Sequence, residues 1–231
     1  MLEVRNLYAG YGGSRVLNGV SLTVNAGEVV SLLGRNGCGR STLLKALMGE
    51  LPAHGSVFFQ GHSILGLPSH RIARLGMGHV PEQRDIFPSL TVQQNLDMGR
   101  KPRQEKGRWL QEELLTRFPV LARRLDVPGG VLSGGEQQLL SLCRSLMGDP
   151  TLLLVDEPTE GLAPALVEDI AALLQEVAQR GCAVLLVEQR LAFALRISAR
   201  LYVMGHGEIV FSGNPQSLQQ APQVRSEWLQ V

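Results

Sequence analysis

A glycine-rich stretch between an apolar run and a helical pattern constrains the fold more than any other part of this chain. The apolar run is residues 29–33, and the helical pattern runs from Leu43 to Met48. Glycine lets the backbone approach a polyphosphate closely, and the N–H groups at the start of the following helix attract an anion. Strand, glycine loop and helix in this order predict an α/β core with a phosphate-binding loop. The loop residues that we expect to contact phosphate are Gly34, Arg35, Asn36, Gly37, Cys38, Gly39, Arg40, Ser41 and Thr42.

Arg40 departs from the usual phosphate-loop motif, in which a lysine precedes the serine or threonine. Lysine is a compact point charge that reaches the β- and γ-phosphates, whereas arginine is planar and less tightly hydrated. Arg40 can hold phosphate as a fork, and the sequence leaves open whether it supports phosphoryl transfer. The next residue, Ser41, is placed to put its hydroxyl on Mg²⁺. Taken alone, the stretch also fits a glycine-rich turn that merely begins a helix.

Length, charge and cysteine content limit the class of protein. The 231 residues suffice for one substantial core with a smaller subdomain, and the formal net charge of +1 gives no sign of a nucleic-acid surface. Cys38, Cys143 and Cys182 lack metal-ligand spacing and indicate reduced thiols. No apolar run approaches the roughly 20 residues of a membrane span, and the first residues lack a signal-peptide pattern. We therefore expect any membrane role to come through a partner.

Hydrophobic patterning predicts a mixed α/β chain. Leu2–Tyr8 and Val16–Val24 alternate apolar and polar residues, which indicates half-buried antiparallel strands. The all-apolar runs 152–155 and 183–187 indicate strands buried on both faces, as in a parallel sheet. From about 91 to 148 the chain consists of helix formers broken by Pro and Gly, which predicts a helical insertion within the α/β domain.

Two acidic residues directly follow the buried run 152–155. In open α/β sheets, ligands bind at the carboxyl ends of the strands. Asp156 is therefore a candidate magnesium ligand, and Glu157 is a candidate for polarising a water molecule. The alternative, that both are ordinary residues of a strand-end turn, becomes the minority interpretation because a phosphate loop lies upstream.

A second anion site is predicted at residues 133–136. Ser133 and Glu136 fit a capping box at a helix start. Gly134 and Gly135 leave bare N–H groups behind that cap, although local structure alone also accounts for the pattern.

Three further features have ordinary alternatives. Tyr11, in a glycine turn, could stack on a nucleotide base or could be a plain turn aromatic. The basic run from Arg100 to Arg108 is interpreted as a solvated surface turn. His206, between two glycines, is interpreted as a surface residue rather than a ligand.

These segments, in this order, resemble the ATP-binding subunit of an ABC transporter, from Leu2 to about Gly213. The glycine loop resembles Walker A, residues 132–136 match the family signature, and residues 152–157 resemble Walker B with its catalytic Glu. Tyr11 matches the aromatic position that stacks on adenine. Residues 160–164 resemble the loop that bridges the dimer.

The resemblance implies a single nucleotide-binding domain over 1–231. Its α/β fold would have a mixed-sheet core of the P-loop NTPase type with an N-terminal antiparallel β subdomain and an inserted α-helical subdomain. The core would occupy about 1–90 and 149–213, the helical insertion about 91–148, and a C-terminal tail 214–231.

Finer features resemble the branch that takes up branched-chain amino acids or urea. Glu82 falls where most family members have a loop Gln, and Gln189 falls where most have a switch His. Both resemble the branch pattern, whereas Arg40 departs from it. Residues 34–37 and 85–88 resemble the urea type, and residues 161–164 resemble the branched-chain type, so both substrates stay open.

The resemblance also implies a mechanism with ATP and Mg²⁺ as cofactors. Two subunits would pack head to tail, with ATP between Walker A of one and the signature of the other. The implied catalytic residues are Glu157 as base toward the attacking water, Gln189 as a group that orients it or senses the γ-phosphate, and Arg40 on the phosphates. Mg²⁺ would be held by Ser41, Asp156 and Glu82, and the partner's site would be completed by Ser133, Gly134 and Gly135.

The implied partners are membrane permease subunits, a second identical or different ATPase subunit and, indirectly, a periplasmic substrate-binding protein. Such a chain would lie peripherally on the cytoplasmic face of the inner or plasma membrane. Because of Arg40, the alternative is a nucleotide-binding subunit that hydrolyses weakly or acts as a regulator. An ABC ATPase working away from membranes is a third possibility, but such proteins generally carry two cassettes or long insertions.

Cys38 gives one more expectation. A helix N-terminus lowers the pKa of a thiol, so we expect Cys38 to be alkylated readily and ATP to protect it.

Overall fold

The computed structural model describes residues 1–100 and 107–229. The middle of the basic run between Arg100 and Arg108, and the last two residues of the predicted tail, lie outside the described residues. The strands are β1 (Leu2–Tyr11), β2 (Ser14–Val24), β3 (Val29–Gly34), β4 (Ala53–Phe59), β5 (His62–Ser63), β6 (Met77–Val80), β7 (Leu152–Asp156), β8 (Ala183–Glu188), β9 (Arg200–Gly205) and β10 (Glu208–Gly213).

The helices alternate with the strands of the core and fill the segment between β6 and β7. They are α1 (Arg40–Leu47), α2 (Ser69–Arg74), α3 (Val92–Gly99), α4 (Gln111–Arg117), α5 (Pro119–Ala122), α6 (Gly134–Met147), α7 (Pro164–Gln179), α8 (Leu191–Ile197), α9 (Pro215–Gln219) and α10 (Pro222–Trp228). None of them, within the described part of the chain, is long and apolar enough to cross a membrane.

Two sheets form the core. The first is antiparallel, in the order β2-β1-β4-β5. The second has the order β10-β9-β3-β8-β7-β6, with parallel pairing throughout except where β10 runs antiparallel to β9. The predicted N-terminal strands therefore belong to a separate sheet, and the mixed sheet obtains its antiparallel strand from β10. β1 and β2, whose residues alternate between apolar and polar, can form the antiparallel sheet because only one face of such a sheet needs to pack on an apolar layer.

Each face of the parallel strands packs on a different apolar layer. Along β7, Leu153 and Val155 contact the layer that contains α6 and α7, whereas Leu152 and Leu154 contact the layer between the two sheets and α1. Successive side chains of a strand point to opposite faces, and here both faces pack on an apolar layer. β3, β7 and β8 therefore contain almost only apolar residues and are buried over their full length. Their carboxyl ends meet at one edge of the sheet.

The helices agree closely with the sequence pattern, with small shifts at their starts. α1 begins at Arg40, before the predicted helical pattern at Leu43, and α6 begins at Gly134, directly after its cap Ser133. In α7 the apolar stripe is buried at Ile170, Leu173, Leu174 and Val177, while Leu166 is only partly buried. The described residues between 91 and 148 form α3 to α6 and no strand longer than an isolated bridge, Thr91 with Pro128.

Candidate active site

The phosphate loop connects the buried strand β3 to α1. Gly39 is the N-cap of α1 and has φ +112°, a conformation that favours glycine. A Cβ at Gly39 would lie 3.0 Å from a methyl of Leu17, so the loop also packs closely on β2. The loop is therefore anchored in the core while Arg35, Asn36 and Gly37 are exposed.

A cleft of about 430 Å³ opens over this loop. It brings together segments that are far apart in the chain: the phosphate loop, the segment after β6, the residues after β7 and those after β8. Its lining is formed by Val16, Asn36, Gly37, Gly39, Arg40, Ser41, Thr42, Glu82, Glu157, Glu160 and Gln189. The three predicted catalytic residues and two of the three predicted metal ligands thus border one cavity.

Arg40 points its guanidinium into the protein rather than into solvent. It is only 5% exposed. Its Nη2 donates to Glu157 Oε1 at 2.7 Å and to Asn36 Oδ1 at 3.1 Å, and its Nη1 donates to the carbonyl of Glu188 at 2.9 Å. Both partners of the Arg40–Glu157 ion pair are buried, with side chains 4% and 8% exposed. The positive charge at the phosphate loop is therefore held by a carboxylate of the same site.

Glu157 follows β7 in the left-handed region, with φ +45°. Its N–H donates to the carbonyl of Val187 at 2.9 Å, and its second carboxylate oxygen accepts a short hydrogen bond from Gln189 Nε2. Burial raises the pKa of Glu157, and the Arg40 charge and the Gln189 hydrogen bond act in the opposite direction. A carboxylate with a raised pKa, beside an amide that fixes its orientation, is suited to accept a proton from water.

Asp156, at the carboxyl end of β7, faces Ser41. Burial raises the pKa of Asp156 and the Glu82 charge adds to the rise, whereas the nearby Ser41 hydroxyl acts in the opposite direction. Asp156 Oδ1 is buried without a hydrogen-bond partner. A buried carboxylate oxygen of this kind, next to a hydroxyl and a second carboxylate, fits a hard cation such as Mg²⁺.

The described residues hold no cluster of three His, Cys, Asp or Glu side chains that could bind a metal alone. Mg²⁺ is usually bound through one or two protein ligands together with phosphate oxygens and water. The donor set of Ser41, Asp156 and Glu82 is therefore of the right kind for a metal bound with a nucleotide.

Glu188 is a site residue whose contacts the sequence analysis did not predict. It is 2% exposed, and its carboxylate accepts hydrogen bonds from Thr159 Oγ1 at 2.8 Å and from the N–H groups of Gln189 and Arg190 at 2.8 and 2.9 Å. Its carbonyl accepts from Arg40. Glu188 thus fixes both the start of the Gln189 segment and one arm of the Arg40 fork. The available signal was an acidic residue directly after an all-apolar strand.

The signature residues lie outside this cleft. Ser133 is exposed and caps α6, accepting the N–H of Glu136 at 3.4 Å while its own N–H donates to Glu136 Oε2 at 2.8 Å. Gly134 and Gly135 belong to the first turn of α6. The N–H groups of a first turn have no hydrogen-bond acceptor within the helix. Tyr11, at the end of β1, is 45% exposed and does not line the cleft.

Cys38 does not have the reactive environment that was expected. Burial raises the pKa of the Cys38 thiol, which outweighs the lowering contributed by the Arg40 charge and the neighbouring backbone. Its side chain packs partly against the apolar layer between the two sheets. The expectation of a lowered pKa is therefore wrong, because the thiol points toward the core rather than along the helix N-terminus.

The chain was compared with known proteins. The ABC transporter family matches residues 17–160. The high-affinity branched-chain amino acid transport ATP-binding protein BraG of Pseudomonas aeruginosa is 40% identical over 231 residues, 99% of each chain. The lipopolysaccharide export system ATP-binding protein LptB of Haemophilus influenzae is 34% identical, over 99% of this chain and 97% of its own.

Among solved structures, a nucleotide-free ATP-binding cassette from an ABC transporter superposes with a TM-score of 0.81. The two are 29% identical, and the match covers 97% of this chain and 96% of that one. The phosphate loop, the buried carboxylates and these matches lead to one assignment. The chain belongs to the ABC transporter family, as its ATP-binding subunit and transport-coupled ATPase.

Proposed function

We propose that this chain hydrolyses ATP to energise an importer of branched-chain amino acids. The observation that carries the proposal is the 40% identity with BraG over nearly the whole of both chains. Urea is the second import substrate that the sequence pattern leaves open. The similarity to LptB makes lipopolysaccharide export the competing assignment, at a lower identity of 34%.

The predicted catalytic residues of the cleft each have a proposed role in hydrolysis. Arg40 and the loop amides hold the phosphates, Glu157 takes the proton of the attacking water, and Gln189 orients Glu157 and that water. Phosphoryl transfer depends on such positioning and charge stabilisation. Mg²⁺, held by Ser41 and Asp156 with Glu82 beside them, would neutralise the charge that develops on the phosphates.

A second ATPase subunit is needed to complete the site. Ser133 is exposed at the start of α6, Gly134 and Gly135 beside it are half-buried, and none of the three lines the cleft of its own chain. We therefore assign them to the nucleotide bound by a partner in a head-to-tail dimer. ATP would bind the closed dimer better than the open one, and that difference in affinity would drive closure.

The permease subunits would bind in a groove between β6, α3 and α6. Phe87 and Met98 are exposed there, at 43% and 61%, although both are large apolar residues. Two buried polar atoms in the same groove, His79 Nε2 and Arg144 Nη1, lack hydrogen-bond partners. An apolar surface with unsatisfied donors suits a protein partner. Such binding would place the chain peripherally at the cytoplasmic face of the membrane, with a periplasmic substrate-binding protein acting only through the permease.

One observation favours a second candidate function, an ATP-binding subunit with weak turnover of its own. Arg40 forms a buried ion pair with the carboxylate of Glu157, the group that should activate water. A subunit in which this pair persists would bind nucleotide and offer its signature to a more active partner.

Reconstitution tests the substrate assignment. A tagged chain is purified from detergent-solubilised membranes of its own cell, and the co-purifying membrane subunits are placed in proteoliposomes with their binding protein. We expect MgATP-driven uptake of radiolabelled leucine, abolished by Glu157→Gln. Uptake of urea instead of leucine would transfer the assignment to the urea branch. Copurification with lipopolysaccharide-export components, without uptake of either, would refute import.

A further inference from the structure

The turn between β9 and β10, residues 205–207, lies directly against the phosphate loop. The N–H of Gly207 donates to the carbonyl of Cys38 at 3.0 Å. Asn18 of β2 holds the same turn from the other side, donating its N–H to the carbonyl of Gly207 at 2.8 Å and its Nδ2 to the carbonyl of His206 at 3.0 Å. The position of the loop at Cys38 therefore depends on where this turn is held.

Trp228, the last residue of α10, covers the turn. A Cβ at Gly205 would lie 2.3 Å from Cε3 and 2.4 Å from Cζ3 of Trp228, so the six-membered ring of the indole rests on the glycine backbone. The ring of His206 meets Trp228 edge-on, with centroids 5.2 Å apart and an interplanar angle of 83°. The C-terminal helix thus contacts two of the three residues of the turn.

The same C-terminal segment supports the strand that leads into the phosphate loop. Trp228 is partly buried against an apolar cluster that includes Leu33, the residue before Gly34. A Cβ at Gly34 would lie 2.6 Å from the carbonyl oxygen of Met204, which directly precedes the turn. The phosphate loop is therefore in contact with the end of β9 or its turn at two positions, Gly34 and Cys38.

We propose that Trp228 is a positioning residue for nucleotide binding, acting on the phosphate loop through Gly205 and Gly207. The proposal rests on the proposed binding of ATP at that loop. Anion binding by backbone N–H groups depends on their being held in the binding conformation beforehand. Trp228 fixes the turn, the turn fixes the carbonyl of Cys38, and the loop amides are held ready for phosphate.

Substitution of Trp228 should weaken nucleotide binding and leave the rate of the chemical step nearly unchanged. Removing the indole releases Gly205 and leaves the Gly207–Cys38 hydrogen bond free to relax. Glu157 and Gln189 are held by other contacts, with Arg40 and Glu188, and do not depend on Trp228. A change at Trp228 should therefore raise KM for ATP and leave kcat nearly unchanged.

The test measures the Kd for MgADP by calorimetry, together with kcat and KM, on the full chain. Trp228→Ala should raise Kd and KM about threefold to tenfold, whereas Trp228→Phe, which keeps a ring on Gly205, should stay within about twofold of wild type. Val224→Ala is the matched control, because Val224 lies one turn earlier in α10 and packs against the same cluster. Equal Kd values for Trp228→Ala and Val224→Ala would overturn the proposal.

A spectroscopic test does not require Trp228→Ala to fold. The chain has two tryptophans, and Trp109→Phe leaves Trp228 as the only one. Because coupling between two sites is reciprocal, saturating MgADP should stabilise the packing of Trp228 and reduce acrylamide quenching of its emission; unchanged quenching would overturn the proposal. A wild-type chain that binds no MgADP at all contradicts the proposed function itself, so the two failures can be distinguished.

Discussion

Arg40 and Glu157 form a buried ion pair across the candidate active site, with Nη2 and Oε1 2.7 Å apart. The guanidinium that should meet phosphate is thus joined to the carboxylate that should meet water. Arg40 has two further acceptors, Asn36 and the carbonyl of Glu188, so both of its terminal nitrogens are hydrogen-bonded within the protein. Phosphate must compete with Glu157 for this cation before both groups can act. The stronger the Arg40–Glu157 ion pair is, the more free energy is needed to separate the two groups before hydrolysis.

Arg40→Lys tests that relationship. A lysine at this position has a compact ammonium that can reach the phosphates but cannot form the three-way fork. We expect kcat for magnesium-dependent ATP hydrolysis to rise about threefold to tenfold, which corresponds to roughly 1 kcal/mol of barrier. A steady-state assay at saturating ATP measures it. Equal or slower turnover in Arg40→Lys would show that Arg40 is a working substitute for lysine.

Glu157→Gln should abolish turnover and retain nucleotide binding. The amide keeps the size of the side chain and can still accept from Gln189, but it cannot take a proton from water. We expect kcat to fall at least about 100-fold, while MgATP binds at least as tightly as to wild type, because phosphate no longer competes with a Glu157 carboxylate for Arg40. Glu168→Gln is the matched control, because Glu168 forms an exposed ion pair with Arg196 on a different part of the chain. Substantial remaining turnover would mean that another group serves as base.

Ser133→Ala separates the role of the signature from that of a helix cap. Ser133 and Thr91 each form a capping box, at the starts of α6 and α3. Either alanine substitution should cost about 0.5–2 kcal/mol of stability. We expect only Ser133→Ala to lower ATP turnover of the assembled dimer, by at least about tenfold. Equal turnover of the two variants would argue against a signature that completes the partner's site.

The sequence predicted the elements of this fold well because most of them have a one-dimensional signal. β7 and β8 are all-apolar runs of strand length, and α3 and α6 begin at capping boxes. A two-residue strand such as β5 has no such signal. The residue pattern alone did not assign β1 and β2 to a separate sheet, since strand pairing depends on long-range contacts; the family resemblance supplied that antiparallel subdomain, and the structure confirms it.

The site could be predicted as a set of residues but not as a set of contacts. Arg40 and Glu157 are 117 positions apart, and their ion pair depends on the alignment of β3 and β7 in one sheet. The contact of Trp228 with Gly205 has the same origin. Cys38 was misjudged because a local rule, the helix N-terminus, was applied to a side chain that the fold turns inward.

Cysteine reactivity should follow burial rather than position in the phosphate loop. Cys143 and Cys182 are buried and have pKa values raised to about 12, and burial also raises the pKa of the partly exposed Cys38. The thiolate is the reactive form, so alkylation of native protein near neutral pH should be slower than that of a free thiol. The rate at Cys38 should increase as the pH is raised. Mass spectrometry after a timed iodoacetamide pulse, from pH 7 to 9, measures it.

The same labelling shows whether Cys38 lies at the nucleotide site. We expect MgATP to slow modification of Cys38, because nucleotide covers the loop from residue 34 to residue 42. Rapid labelling at pH 7, equal with and without MgATP, would contradict both the buried orientation of the thiol and its place beside bound nucleotide. Cys143 supplies the internal control, since it is fully buried in the helical layer.

His79 should make the fold sensitive to mild acid. Burial lowers the pKa of His79 from 6.5 to about 4, with Asp85 opposing the shift and Lys45 adding to it. The unfolded chain therefore takes up a proton at a higher pH than the folded chain. The stability linked to His79 is fully present above pH 6.5 and is lost as the pH falls toward 4. At pH 5 the loss amounts to about 2 kcal/mol relative to pH 8.

Urea unfolding of wild type and His79→Gln at several pH values isolates this contribution. Glutamine does not titrate, so the difference in unfolding free energy between the two chains should shift by about 2 kcal/mol between pH 8 and pH 5. Subtracting the two curves removes the contributions of the carboxylates, whose pKa values are raised at Asp156 and Glu157 and lowered at Glu28 and Glu113. His54→Gln, at an exposed position, is the matched control. A difference curve that is flat with pH would mean that His79 gains a compensating partner when it is protonated, and Asp85 is the nearest candidate because its charge already favours the protonated ring.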